Sequence, residues 1–184
     1  MSTQNLLTFL LQGNQLKRTA RTGWVQRGVP QAENVATHSY GVVFIAMTLA
    51  ELVGVPLDCY KVLAMAALHD LPEALTTDIP TPAWRHLPPG IKVDVERQAM
   101  YTIMADMPFA ERFMHLWEEL HTQATAEARL VEDADKLEMF IQAVVYEEQT
   151  GNRQLAEFWS RPHTFHYPQT QALYDALRQR RTAP

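Results

Sequence analysis

The sequence predicts an all-α fold, a single-domain helical bundle, and three observations lead to this prediction. Apolar residues recur at helical spacing through most of the chain. Strand signals are weak, because Val and Ile lie mostly within stretches rich in Ala, Leu and Met, and no Asn-Gly or Asp-Gly pair marks a hairpin. The chain has 184 residues, 47% of them hydrophobic, which is enough to bury one core. We therefore expect residues 1–184 to form one domain.

Stretches rich in glycine and proline divide the helical patterns from one another. Residues 18–35 are predicted to form a long loop, and residues 76–90, with four prolines, a rigid loop. A C-terminal amphipathic helix is expected to pack on the core, whose motifs span about residues 5–150. The predicted helices cover residues 3–12, 36–54, 59–70, 91–106, 108–122, 125–150 and 168–181.

The predicted helix over residues 36–54 is apolar nearly all round from Val42 to Val53, which is typical of a helix in the middle of a bundle. Thr37 or Ser39 can cap its start. Asp58 can cap the helix that follows, and Gly151 is predicted to end the long helix that begins near residue 125. The long helix carries a clear apolar stripe formed by Leu130, Ala134, Leu137, Ile141 and Val144.

The charge balance argues against a protein that binds a nucleic-acid polymer. The formal net charge is −5, whereas such proteins carry a basic face. Residues 1–30 nevertheless hold four Lys and Arg residues and no Asp or Glu. This basic segment fits a small anionic ligand, or equally a solvated helix and loop.

A single cysteine, Cys59, excludes an intramolecular disulfide and a zinc site with several thiolate ligands. A free thiol suits a reducing compartment. The N-terminus lacks the charged segment of a signal peptide, and the longest apolar run is shorter than the roughly 20 residues that a bilayer requires. We therefore expect a cytoplasmic protein that does not enter a membrane.

Polar side chains interrupt three apolar helices in a way that points to a metal ion. His69 and Asp70 close one apolar helix, His38 begins another, and Asp135 lies within the stripe of the long helix. A buried carboxylate is costly unless it is paired or bound to metal, although Asp70 could simply meet an arginine or a helix N-terminus. Two histidines and two aspartates form a set of nitrogen and oxygen ligands that suits one divalent ion.

The pattern His…His-Asp…Asp resembles that of the HD-domain metal-dependent phosphohydrolases. The resemblance is to the branch with bacterial 5′-deoxynucleotidases and eukaryotic HD-domain-containing relatives, so it implies an all-α bundle of the HD-domain type. It covers roughly residues 5–150. Three blocks in this order carry it: Arg21–Val25 with Glu33–Ser39, then His69–Pro80, then Glu132–Glu138.

The resemblance implies that His38, His69, Asp70 and Asp135 hold the ion: Co, Mn or another transition metal, with Mg possible. It implies a hydrolase that releases phosphate from nucleoside 5′-monophosphates, with deoxy forms preferred.

The same resemblance assigns roles to three further residues. Glu73 matches a residue for proton transfer or water positioning, Asp78 one on the sugar side of the pocket, and Trp24 an aromatic near sugar and phosphate. Each residue could instead have an ordinary structural role: Glu73 could be an exposed acid, Asp78 a turn or capping residue, and Trp24 a core residue.

One position departs from the family pattern. The bacterial deoxynucleotidases carry an arginine directly before the tryptophan, where it holds phosphate and selects the sugar, and here that position is Gly23. We hypothesise that Arg21 or Arg27 supplies the charge instead. The preference between ribose and deoxyribose stays open.

The sequence therefore predicts a metal-dependent 5′-nucleotidase that acts on a small-molecule nucleotide. Two alternatives remain: an HD phosphohydrolase for another phosphate ester, such as a cyclic nucleotide or an alarmone, and a non-catalytic module that senses nucleotides. The family branch also implies a homodimer. Apolar residues that could form its interface, or equally belong to the core, are Met104, Met107, Phe109, Phe113 and Trp117.

Overall fold

Helices dominate the computed structural model, which describes residues 2–80, 83 and 86–182. Within these residues there are nine α-helices, two 3-10 helices (Gln15–Arg18 and Arg153–Trp159) and no strand, so the all-α prediction is confirmed. No helix in this described part is long and apolar enough to cross a membrane. The α-helices are α1 Thr3–Asn14, α2 Thr22–Val25, α3 Val35–Ala50, α4 Cys59–Leu68, α5 Glu73–Thr76, α6 Ile91–Ile103, α7 Ala110–Thr122, α8 Ala126–Thr150 and α9 Pro168–Thr182.

Side-chain caps set where the central helices begin. The Asp58 carboxylate accepts from the Lys61 N–H at the start of α4, as predicted. Helix α3 begins one residue earlier than expected, because Asn34 caps it and accepts from the Thr37 N–H. Thr37 and Ser39, the predicted caps, both lie inside the helix that begins at Val35, so neither is its cap.

Helix α8 ends at Gly151, which adopts a left-handed conformation with φ 66° that glycine takes without strain. This end was predicted. The 3-10 helix that follows, Arg153–Trp159, was not predicted, because seven residues are too few to show a helical apolar period.

The segment expected as a long loop, residues 18–35, folds back on itself. It contains α2, and its two ends pair through an isolated bridge between Ala20 and Asn34. The buried Trp24 fixes this segment against the aromatic rings of Tyr146 and Phe158. The start of the chain is therefore tied to the far end of α8.

Helices α3, α4 and α8 pack against one another and form the centre of the fold, with α7 and α9 also against α8. Their facing apolar side chains make up the main core. Helix α3 is not enclosed on all sides as the sequence suggested, because no neighbour covers the face bearing Tyr40, Phe44 and Met47. Tyr40 is 72% exposed.

The apolar residues between α6 and α7 and within α7 that could have formed a dimer interface pack in or against the core instead. Met104, Met107 and Trp117 are buried. Phe109 is partly buried and packs edge-on against Phe9 of α1, with the two ring centroids 5.3 Å apart. The structure thus assigns these side chains to folding rather than to an interface.

Asp133 fastens the segment before α9 to α8. Its carboxylate, 1% exposed, accepts from the backbone N–H groups of His166 and Tyr167 at 2.9 and 3.0 Å. It also contacts His166 Nδ1 at 2.8 Å. One buried side chain therefore satisfies two backbone donors and positions the start of α9.

We expect Asp133→Ala to lower the free energy of unfolding by about 3 kcal/mol, because it leaves two backbone N–H groups without an acceptor. Urea denaturation measures this change. Asp175→Ala is the matched control, since the Asp175 carboxylate is exposed and accepts only from Gln171 one turn earlier. Equal stability of the two variants would contradict the anchoring role of Asp133.

Candidate metal centre

Four polar side chains from three parts of the fold meet in the interior. His38 lies in the first turn of α3, His69 and Asp70 directly follow α4, and Asp135 lies in α8. His38 Nε2 is 3.3 Å from His69 Nε2 and 3.1 Å from Asp135 Oδ1. Asp70 Oδ2 lies 3.2 Å from His69 Nε2 and 3.6 Å from His38 Nε2.

Both histidines are oriented by a hydrogen bond at the opposite ring nitrogen. His69 Nδ1 is 2.8 Å from the carbonyl oxygen of Ala66, and a carbonyl only accepts, so Nδ1 donates. His38 Nδ1 is 2.6 Å from the carboxylate of Glu138. These bonds leave both Nε2 atoms facing the centre of the cluster, as metal-binding histidines require.

The protein groups alone place excess negative charge around His38. Burial and the nearby Arg21 lower its pKa, but hydrogen bonds to Asp135 and Glu138 outweigh them and raise the pKa to about 10. The surrounding carboxylates thus favour a positive charge at this point, which a proton or a metal ion can supply.

Asp70 and Asp135 are both held in their ionised form. Burial raises the pKa of Asp70, but His69 and Arg21 together lower it below its usual value. Burial likewise opposes ionisation of Asp135, and Lys136 and His38 hold its pKa well below the ordinary value. Two imidazole nitrogens and two ionised carboxylates are a donor set that fits one divalent transition metal. The donor atoms of His38, His69 and Asp135 all lie within 4.8 Å of one another.

A cavity of about 200 Å³ opens beside the cluster. Its lining combines charged and apolar side chains. The charged residues are Arg21, Asp70, Glu73, Asp78, Lys92, Asp135 and Lys136. The remaining lining residues are Gly23, Trp24, Ile79, Pro80, Met139 and Phe158.

Glu73 lies in the wall of this cavity, so the alternative that it is an exposed surface acid is wrong. Its side chain is 4% exposed, and its Oε2 atom has no hydrogen-bond partner among the described residues. Burial raises its pKa to about 9, assisted by the negative charges of Asp70 and Asp78. A buried carboxyl oxygen without a partner beside the metal ligands is available for water or substrate.

Asp78 and Trp24 both line the cavity, and each also makes hydrogen bonds that hold the local structure. The Asp78 carboxylate accepts from the Thr22 N–H at 2.7 Å, and its carbonyl accepts from the Thr22 hydroxyl at 2.7 Å. Trp24 is buried, and its ring N–H donates to Glu33 at 2.9 Å. Asp78 therefore holds the start of α2, which carries Trp24 along the cavity.

The two candidate arginines lie in different environments. Arg21 lines the cavity and sits 3.4 Å from Asp70. Arg27 does not line it, because its guanidinium donates to the Gly23 carbonyl, pairs with Glu157 at 2.9 Å and covers the ring of Phe158. The structure therefore places Arg21, and not Arg27, where a phosphate could be contacted.

Sequence reasoning missed four residues that line the cavity: Lys92, Lys136, Met139 and Phe158. Lys136 Nζ is 2.7 Å from Asp135, whose negative charge raises the lysine pKa. Because Lys136 directly follows the predicted ligand Asp135, the sequence could have indicated its place at the site. Phe158 gave no such signal, since it lies in the unpredicted 3-10 helix.

Comparison with known proteins shows similarity along most of the chain. The chain is 38% identical over 181 residues to 5′-deoxynucleotidase HDDC2 of Danio rerio, covering 96% of this chain and 88% of the relative. It is 37% identical over 147 residues to 5′-deoxynucleotidase HDDC2 of Homo sapiens, covering 79% and 70%. A solved structure of a conserved hypothetical protein from Pyrococcus furiosus superposes with a TM-score of 0.80 at 36% identity, covering 96% of this chain and 99% of that one.

The family signature extends beyond the four candidate ligands. Residues 13–173 match the HD domain family, a span that includes all of them and the cavity wall from Arg21 to Phe158. With the helical architecture and these relatives, the match shows that the chain belongs to the HD domain family.

Proposed function

We propose that this chain is a metal-dependent phosphoric monoester hydrolase, a 5′-nucleotidase that converts nucleoside 5′-monophosphates to nucleoside and phosphate. One observation carries the proposal: His38, His69, Asp70 and Asp135 converge beside Glu73 at a cavity lined by both charged and apolar side chains. The relatives named 5′-deoxynucleotidase support this class of reaction.

The cofactor we propose is one divalent ion held by His38, His69, Asp70 and Asp135. Co, Mn or another transition metal suits two imidazoles and two carboxylates, and Mg is also compatible with the oxygen ligands. When bound, such an ion lowers the pKa of water and offsets the negative charge of phosphoryl oxygens.

The charged side chains of the cavity suit a phosphate group. Arg21 and Lys136 are cations that pair with the carboxylates Asp70 and Asp135. The charge of a bound divalent ion would add to these cations and complement a phosphate dianion. The planar guanidinium of Arg21 can also contact two phosphate oxygens at once.

The apolar part of the lining suits a nucleoside rather than a second phosphate. Trp24, Met139 and Phe158 contribute apolar surface to the cavity. Rings of this kind offer faces on which a sugar or a base packs. Gly23 adds no side chain, so we propose that selection against ribose is looser here than in the bacterial deoxynucleotidases.

Hydrolysis requires a proton to move, and Glu73 is placed for that task. The water oxygen forms the new bond to phosphorus, the bond from phosphorus to the 5′ oxygen breaks, and a proton ends on that oxygen. Glu73 Oε2, which has no hydrogen-bond partner among the described residues, can hold the water or transfer a proton. Catalysis otherwise consists mostly of positioning and charge stabilisation.

The first test is phosphate release from a panel of ribo- and deoxyribonucleoside 5′-monophosphates. Metal-stripped protein is assayed with Mn, Co, Mg and Zn restored one at a time. We expect metal-dependent release that His69→Ala/Asp70→Ala abolishes, because that variant lacks two ligands. Glu73→Gln is expected to keep the metal and to lose at least about 100-fold in kcat, as the loss of a positioned proton carrier predicts.

If no monophosphate in the panel is hydrolysed, two further results distinguish the alternative functions. Release from a cyclic nucleotide or an alarmone alone would replace the proposed substrate by another phosphate ester. Nucleotide binding without any turnover would indicate the non-catalytic sensing module.

The contribution of the two arginines is separable by kinetics. Arg21→Ala is expected to raise KM for a monophosphate about 10-fold or more, because it removes a charged contact worth about 1.5–3 kcal/mol. Arg27→Ala is expected to have a smaller effect, since Arg27 contacts Gly23, Glu157 and Phe158 and does not line the cavity. Arg18→Ala is the control, because Arg18 is exposed and bonds to Gln15 of the same 3-10 helix. Equal KM values for Arg21→Ala and Arg18→Ala would contradict phosphate binding by Arg21.

We also propose that the chain works as a homodimer in the cytoplasm. The exposed apolar face of α3, formed by Tyr40, Phe44 and Met47, supports this proposal. Sedimentation velocity at micromolar concentration is expected to show a dimer that Phe44→Glu converts to a monomer. A monomeric wild-type chain would remove the dimer proposal.

A further inference from the structure

A second carboxylate of α8 reaches His38 from the side away from the cavity. Glu138 is 7% exposed, and its Oε2 lies 2.6 Å from His38 Nδ1. Asp135, one turn earlier on α8, lies 3.1 Å from His38 Nε2. Because residues three apart lie on the same helix face, α8 places one carboxylate at each nitrogen of a single imidazole.

The neighbouring helix is shaped to admit Glu138. Gly41, one turn after His38 on α3, faces the Glu138 side chain. A Cβ atom at Gly41 would lie 2.8 Å from Glu138 Cγ and 2.9 Å from its Oε1, closer than packed atoms approach. A glycine inside a helix costs about 1 kcal/mol relative to alanine. Since Gly41 has no positive φ, room for Glu138 is what this glycine provides.

Burying the Glu138 carboxylate costs folding free energy, which a function of its contact with His38 would explain. The ligand atoms of Glu33, Glu138 and His38 all lie within 4.8 Å of one another, so a second acid lies close to the pair of Glu138 and His38. An apolar side chain of similar volume would avoid the desolvation of Glu138 and its repulsion from Glu33. The presence of Glu138 therefore points to a role exerted through His38.

We propose that Glu138 is a positioning residue for the metal site: it accepts the Nδ1–H of His38 and so directs the Nε2 lone pair toward the ion. Gly41 contributes to this role, because the absence of a side chain there leaves room for Glu138. The inference rests on the proposed divalent-metal site. A charged acceptor fixes the imidazole tautomer and ring orientation and strengthens the nitrogen as a ligand.

Zinc affinity of the stripped protein, measured by competition with a chelating dye, tests this role without any substrate. Glu138→Met, which keeps volume and removes the acceptor, is expected to weaken zinc binding about 10- to 100-fold. Glu138→Gln is expected to lose less, because its amide oxygen can still accept the Nδ1–H. Gly41→Ala is expected to weaken binding as well, although it changes no ligand and no charge.

Gly13→Ala is the matched control for Gly41→Ala, since Gly13 is also helical and a Cβ there meets its nearest neighbour at 3.9 Å. Its zinc affinity is expected to equal that of the wild-type protein. Circular dichroism verifies that each variant is folded before its affinity is compared. Folded Glu138→Met and Gly41→Ala variants that bind zinc as the wild-type chain does would overturn the proposal.

A spectroscopic readout separates positioning from a purely structural role. In the zinc-loaded wild-type protein, ¹⁵N shifts of His38 are expected to show a protonated Nδ1 and a coordinated Nε2, and Glu138→Met is expected to lose this single tautomer. A deprotonated Nδ1 in the wild-type protein would also overturn the proposal. If zinc binding depends on Glu138 but no monophosphate is hydrolysed, the nucleotidase proposal fails while this inference stands.

Discussion

The burial of His38 between α3 and α8 is the constraint on which the candidate site depends. The imidazole is 0% exposed, so both of its nitrogens must find partners within the protein. Helix α8 provides a carboxylate at each side, and the end of α4 brings His69 to the same nitrogen that faces Asp135. The three helices that build the core are thus also the helices that bring the candidate metal ligands together.

Charge is distributed so that neighbouring carboxylates behave differently. Cationic partners hold Asp70 and Asp135 ionised, as metal ligands require. Glu73 is only one helical turn beyond Asp70, yet burial and nearby negative charge raise its pKa to about 9. Groups with separated pKa values in one cavity can divide the work between binding a cation and handling a proton.

The apolar lining of the cavity is assembled from segments far apart in the chain. Asp78 holds the start of α2, and Glu33 accepts from the ring N–H of Trp24. Arg27 covers Phe158 and donates to the carbonyl of Gly23, so its charge supports the wall instead of facing a ligand. A basic residue near a site can therefore contribute by supporting its wall.

The sequence by itself determined the longer helices, the caps at Asp58 and Gly151, and the polar residues that interrupt apolar helices. These features depend on the local periodicity of apolar residues and on the backbone preferences of residues close together in sequence. Both can be read from the sequence directly. Only the tertiary structure decided that Glu138 meets His38, that Phe158 joins the cavity, that Arg27 turns away from it, and that Met104 and Trp117 are core. Those outcomes depend on which helix faces meet across long stretches of chain, and no local pattern specifies that pairing.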